Sequence, residues 1–196
     1  MPDLDFEVTD LPASDHPEPG DVAPEFTRPL VGPEYWADES LSSVVAEGPT
    51  LLVFHPMDGA FPTTYMWNAI DDHGFADAVR VVGVSVSTPY EHKDLLAERG
   101  EAARLFSDPD AGVAAAYDLE NDLDGMAGVT EHRPAVFLLD SDRTVQYAWV
   151  ADEWPAFPDY EEIAAALDDP VSTAPGFNSV SNIPREPRPE VPAEVM

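Results

Sequence analysis

Apolar residues in this chain fall into blocks whose spacing changes from one block to the next. Thr50–Phe54 is a continuous apolar run, the pattern of a strand buried on both faces. Residues 79–86 form a second such run, rich in valine. Between the two, Met66, Trp67 and Ile70 repeat at helical spacing, and Gly74 marks the end of that helix. A shorter helix carrying Leu41, Val44 and Val45 precedes the first run, with Asp38 or Ser40 as its cap and Gly48 as its stop. Thr88-Pro89-Tyr90-Glu91 is a capping box with proline at the first helical position, and its helix carries Leu95 and Leu96 and stops at Gly100.

Residues 134–140 and 144–150 read as two strands joined by a turn at Ser141-Asp142-Arg143. Asp159 then opens a helix in which Tyr160, Ile163, Ala164 and Leu167 fall on one stripe. The order is βαβ followed by ββα, which predicts an α/β domain: a mixed sheet with helices on both faces. Such an arrangement is thioredoxin-like. The predicted domain spans 20–169. Residues 1–19 are read as an acidic flexible segment. Residues 170–196, with Pro170, Pro175, Pro184, Pro187, Pro189 and Pro192, are read as a proline-rich tail whose Phe177, Val180 and Ile183 could dock on the domain.

Charge alters the list of partners. The chain carries 39 acidic residues against 9 basic ones, a net charge of −30, and Lys93 is its single lysine. Such a surface repels phosphate backbones and anionic membranes, so neither nucleic acid nor membrane is expected. The reading for the acids, spread along the whole chain, is a halophilic cytoplasm, where molar salt shrinks the Debye length to about 3 Å. The opening MPDLDFEVTD is read as no signal peptide, and the expected location is cytoplasmic. There is no cysteine, so within this sequence there is no disulfide, no thiolate metal site and no thiol chemistry.

Five segments, in order, are similar to the peroxiredoxin (AhpC/TSA, redoxin) family of the thioredoxin-like superfamily. They are Gly20-Asp21-Val22-Ala23-Pro24-Glu25-Phe26, LLVFHP at 51–56, STPYEHK at 87–93, LFSDPDAGVAAAY at 105–117 and VFLLDSDRTVQYAWV at 136–150. The resemblance covers about residues 20–168. It implies a thioredoxin-like mixed sheet with an N-terminal extension, an antioxidant thiol peroxidase ancestry and assembly as a homo-oligomer or with a redoxin-family partner. No cofactor or metal is expected.

The active-site loop departs from the family pattern F-x-P-x-D-x-T-P-x-C. Aligned without gaps on Phe54-His55-Pro56-Met57-Asp58, the threonine falls on Ala60, the proline on Phe61 and the peroxidatic cysteine on Thr63. One inserted residue would move proline to Pro62 and cysteine to Thr64. The family's arginine falls on Pro134, with Arg133 one position earlier. Pro134 is also where other thioredoxin-like proteins hold a cis-proline.

A threonine hydroxyl does not ionise as a thiol does, and it has no sulfenic state to cycle through. The expectation is therefore a catalytically degenerate redoxin, a pseudoenzyme that binds or scaffolds. Its degenerate pocket would comprise His55, Pro56, Asp58, Phe61, Pro62, Thr63, Thr64, Trp67, Arg133 and Pro134. The alternatives are a non-thiol enzyme with metal-assisted chemistry near His55, Asp58 and His132, or a partner subunit of an active thiol peroxidase. For individual residues, His55 is read as filling the family's aromatic slot, His92 as exposed, His16 and His73 as solvated, and Thr63 and Thr64 as caps of the helix that follows. Phe61, Tyr65 and Trp67 are read as core. An enclosed polar hollow around Thr63 would favour binding, and a filled one scaffolding.

Overall fold

The computed structural model describes residues 8–99, 103–121 and 127–168. The tail from 170, its docking, and the helix stop at Gly100 lie outside those residues. In chain order the elements are β1 (Thr9–Asp10), β2 (Thr27–Val31), β3 (Trp36–Ser40), α1 (Leu41–Val45), β4 (Thr50–Phe54), α2 (Phe61–Asp72), β5 (Arg80–Ser85), α3 (Pro89–Arg99), β6 (Ala103–Ser107), α4 (Gly112–Ala116), β7 (Glu120–Asn121), β8 (Glu131–His132), β9 (Ala135–Leu139), β10 (Val145–Val150), β11 (Glu153–Trp154) and α5 (Tyr160–Asp168).

Seven strands form one mixed sheet in the order β10-β9-β4-β5-β6-β2-β3. β4, β5 and β6 run parallel at its centre, while β9 and β2 flank them antiparallel. Strand alternation sends side chains to two cores. Leu52, Phe54, Val82, Val84, Phe106 and Phe137 meet α1 and α4 on one face. Leu51, Val53, Val81, Leu105, Val136 and Leu138 meet α2, α3 and α5 on the other. Ile163 and Leu167 of α5 are fully buried there, each contributing about 1.5–3 kcal/mol of burial free energy.

The local signals act as their chemistry requires. Ser40 caps α1 by accepting from the Ser43 amide at 3.1 Å. Glu91 reaches back to the Thr88 amide at 2.7 Å. Asp159 accepts from the Glu161 amide at 2.9 Å to start α5. Residues 8–19 lie along the domain: β1 pairs with β11, Ser14 donates to the Asp118 carbonyl, and the His16 ring meets Phe137 edge-on.

Three features depart from the sequence reading. The βαβ unit continues into a third parallel strand, β6, and a short α4 before the terminal hairpin. A β2–β3 hairpin also extends the sheet beyond β6. The only cis peptide bond among the described residues is Trp154–Pro155. The bond into Pro134 is therefore trans, and the cis-proline expected there is not present.

Candidate functional site

The site lies where β4 ends and hands the chain to α2. Gly59, at φ +82°, turns the loop 55–60, a conformation that favours a residue without Cβ. Helix α2 opens at Phe61 with Pro62 just inside its first turn, where a missing amide costs nothing. Its cap residue is Ala60, which offers no side-chain acceptor. Thr63 and Thr64 are thus already inside the helix, so the expectation that they cap it is corrected.

Thr63 does something else with its hydroxyl. It is fully buried and donates to the Met57 carbonyl at 2.9 Å, closing the loop on itself. The Thr63 Oγ1 also stands 3.4 Å from His55 Nδ1. Thr64 is exposed, and its carbonyl accepts from Arg99 Nη2 at 3.3 Å.

His55 is fully buried and meets Trp67 edge-on at 5.7 Å. Burial drives its pKa down to about 3, against the opposing pull of Asp58, so the ring is neutral at ordinary pH. Thr63 has spent its proton on Met57 and can only accept from the ring. The ring hydrogen therefore sits on Nδ1, and Nε2 presents a bare lone pair with no partner. That edge packs against Gly83 of β5: a Cβ there would meet Leu105 Cδ2, Trp67 Cζ2 at 2.7 Å and His55 Nε2 at 3.1 Å.

Asp58 anchors the loop from the other side. Its carboxylate accepts from His92 Nδ1 at 2.7 Å and from the Ser85 hydroxyl at 3.3 Å, while its amide donates to Ser87 Oγ at 2.8 Å. Burial pushes this carboxyl up, but the His92 hydrogen bond and the neighbouring rings outweigh it, and the net pKa lies below the usual carboxylate range. His92, expected exposed, is completely buried. Its helix lays it across the sheet edge, with Nε2 3.1 Å from the Phe106 carbonyl.

A second histidine–carboxylate pair sits nearby. His132 of β8 contacts Asp108 Oδ2 at 3.0 Å and the Val84 carbonyl at 3.2 Å. Asp108 also accepts from Arg28 Nε at 2.7 Å and from the Val113 amide at 2.8 Å. Arg133 is buried, and its Nη1 donates to the Pro12 carbonyl at 2.9 Å. It is thus engaged by the N-terminal segment. Desolvation lowers its pKa, with Asp118 pulling the other way. Pro134 is buried, and its carbonyl accepts from the Ala151 amide at 2.9 Å.

Above the start of α2, half-buried Phe61 meets Tyr65 at 6.3 Å and Trp154 at 6.5 Å, and Tyr65 meets Phe157 at 5.9 Å. These rings roof the loop, whereas Trp67 belongs to the core beneath α2. A cleft of about 370 Å³ opens beside the loop at the carboxyl ends of β5 and β6. Met57, Ser87, Glu91, Asp110 and Val129 are among its walls; Thr63 is not. The other candidate residues, His55, Pro56, Pro62 and Trp67, are all buried.

Among the described residues, no three His, Asp or Glu side chains converge as a bound cation requires. His132 and Asp108 form their own pair rather than joining His55 and Asp58. The site is thus a packed, hydrogen-bonded knot with a neutral imidazole and a buried hydroxyl. The sequence reading missed His92, Ser85, Ser87 and Asp108 as parts of it. Ser85, Ser87 and His92 come from the end of β5 and the start of α3, and Asp108 follows β6, so the chain brings two separate segments to the loop that bears Asp58.

The AhpC/TSA family model matches residues 19–148. Among solved structures, the chain resembles Plasmodium vivax 2-Cys peroxiredoxin in its reduced form, with 22% identity over 75% of this chain and 93% of that one, at a TM-score of 0.60. It resembles the peroxidoxin BcpB of Mycobacterium tuberculosis at 22% identity, covering 69% and 86%, with a TM-score of 0.56. Mycobacterium tuberculosis AhpC follows at 17% identity, covering 77% and 91%, with a TM-score of 0.59. At these identities the likeness to solved structures shows the fold. No curated protein matches the chain.

Proposed function

The chain belongs to the AhpC/TSA family, and from that premise we propose that it is a redoxin-fold scaffold that has given up thiol peroxidase chemistry. The observation that carries this reading is Thr63. In the alignment without gaps the peroxidatic position falls on Thr63, whose hydroxyl is fully buried and already bonded to the Met57 carbonyl; with one inserted residue it falls on exposed Thr64, which also has no sulfur. Reducing a peroxide needs a polarisable thiolate that takes up oxygen and is then reduced. Nothing in these 196 residues carries sulfur except methionine. The hollow is filled by His55, Pro62 and Thr63 and roofed by Phe61 and Trp154, which supports scaffolding over a ligand pocket at that spot. The convergence that metal-assisted chemistry at His55 and Asp58 requires is not found among the described residues.

A scaffold of this kind acts through partners, either copies of itself or a thiol-bearing redoxin. No helix among the described residues is long and apolar enough to cross a membrane. The test is hydroperoxide consumption by the purified chain with dithiothreitol or thioredoxin in molar salt. Consumption at the buffer rate is expected. Sustained turnover over many equivalents would refute the proposal. Thr63→Cys is the companion variant: Arg133 is engaged at Pro12 and the new thiol would be sealed in the packed loop, so it too is expected to stay at background.

A further inference from the structure

The chain has no thiol, but one of its five methionines stands on the wall of the cleft beside the site loop. Met57 is half-buried there, whereas Met66 of α2 is sealed in the core. Both main-chain groups of Met57 are fixed. Its amide donates to Glu131 Oε1 at 3.3 Å, and its carbonyl accepts from Thr63 at 2.9 Å. Pro56 before it is buried, and Asp58 after it is tied to Ser85, Ser87 and His92. A thioether on so constrained a backbone is presented to the cleft in a narrow range of positions. Its sulfur is polarisable and nucleophilic without ionising, so, unlike a thiol, it needs no cation beside it.

The cleft adds a hydrogen-bond donor. Ser87 also lines it and is 4% exposed. Its Oγ accepts from the Asp58 amide at 2.8 Å, which places the hydroxyl against the peptide link joining Met57 to Asp58. The hydroxyl hydrogen has no acceptor among the described residues, so it can donate to an oxygen entering the cleft. Val86 and Val129 give apolar walls, and a volume of about 370 Å³ leaves room for a small organic molecule. The charged side chains on the wall, Glu91 and Asp110, are both acidic, and both are engaged, with Thr88 and Arg28. Such a wall disfavours anionic oxidants and leaves neutral ones.

We infer that Met57 is an oxidation site for neutral hydroperoxides, taking up one oxygen to become methionine sulfoxide, with Ser87 as the proton donor. The sulfur lone pair attacks the terminal oxygen of the peroxide. A sulfur–oxygen bond forms as the oxygen–oxygen bond breaks. Sulfur loses two electrons, and the peroxide is reduced to an alcohol, or to water from hydrogen peroxide. Ser87 gives its hydrogen to the departing oxygen and takes the one left on the transferred oxygen, so no proton is gained or lost. The sulfoxide oxygen then accepts from the same hydroxyl. Each chain reacts once, and a separate reductase must restore the thioether, so the event is not a thiol cycle and stands whether or not the chain is a scaffold.

The test treats the full chain in molar salt with hydrogen peroxide, quenches it at intervals and maps oxygen uptake at each methionine by peptide mass spectrometry. N-acetylmethionine amide in the same tube is the reference. A neutral hydrogen bond to the departing oxygen is worth on the order of tenfold in rate, so Met57 should react about tenfold faster than the reference. Met66 should stay a thioether while the chain is folded. In Ser87→Ala, with its fold checked by circular dichroism, the Met57 rate should fall to within about threefold of the reference. A natural chain whose Met57 reacts within about threefold of the reference overturns the inference. So does oxidation of Met57 and Met66 at one rate, which would report opening of the fold. A folded Ser87→Ala chain that keeps the whole advantage overturns it as well. The Met57 and Met66 rates come from the natural chain and decide the matter even if the variant does not fold.

Discussion

His55→Phe isolates the energetic role of one buried ring. Phenylalanine keeps the edge-on contact with Trp67 and removes both nitrogens. At neutral pH it gives up the long 3.4 Å contact to Thr63 but also removes the orphaned Nε2. These effects oppose each other, and the net change is expected within about 1.5 kcal/mol, the range of a well-tolerated core swap. Acid separates the two proteins. The folded His55 has its pKa lowered from 6.5 to about 3, so below 6.5 the unfolded chain binds a proton that the folded one refuses. Stability tied to this group is therefore present above 6.5 and is lost as pH falls towards 3. Integrated from pH 7 to pH 4, the loss is about 3 kcal/mol from His55 alone. The assay is urea unfolding of both proteins at constant molar salt across that range. The carboxylates contribute to both curves and cancel in the difference. The stability of the variant relative to the natural chain should rise by about 3 kcal/mol on going from pH 7 to pH 4. A constant difference would show that His55 protonates freely in the fold, and would refute its assignment as a sealed, neutral ring.

Gly83→Ala should destabilise the domain by roughly 1–3 kcal/mol, because the new methyl meets Leu105, Trp67 and His55 within the core and neither aromatic ring can swing clear; an unchanged urea midpoint would contradict the packing described. Salt should stabilise the chain: with a net charge of −30, the melting temperature by circular dichroism should climb steadily between 0.1 M and 2 M sodium chloride. A flat response would remove the halophilic reading.

How much the sequence revealed depended on how each segment is buried. β4 was legible because both of its faces are covered, so Leu51–Phe54 are all apolar and buried Thr50 spends its hydroxyl on the Gly48 carbonyl. α5 was legible because Asp159 marks its start and a single stripe marks its buried side. β6 was missed as a strand: it is five residues long, carries Arg104, and runs straight into Asp108. β3 was missed because Trp36–Ser40 is almost wholly exposed, which leaves no periodicity to read, and Pro29 disguises its partner β2. At the site, the alignment placed Thr63 or, with one inserted residue, Thr64 at the start of α2. It could not place His92, which sits between charged Glu91 and Lys93 and looks solvent-facing until the loop bearing Asp58 folds over it. Nor could it foresee that Arg133 would be drawn to Pro12, because that contact joins residues 121 positions apart.

The bond from Thr63 to Met57 has an evolutionary corollary. A hydroxyl that completes the backbone of its own loop is structural, and on the scaffold reading proposed above substitutions around it no longer have to respect a reactive centre. On that reading a return to catalysis would demand both sulfur at 63 and an opening through the rings of Phe61 and Trp154. Neither step is useful without the other, so a loss of peroxide chemistry, once made, would behave as a ratchet.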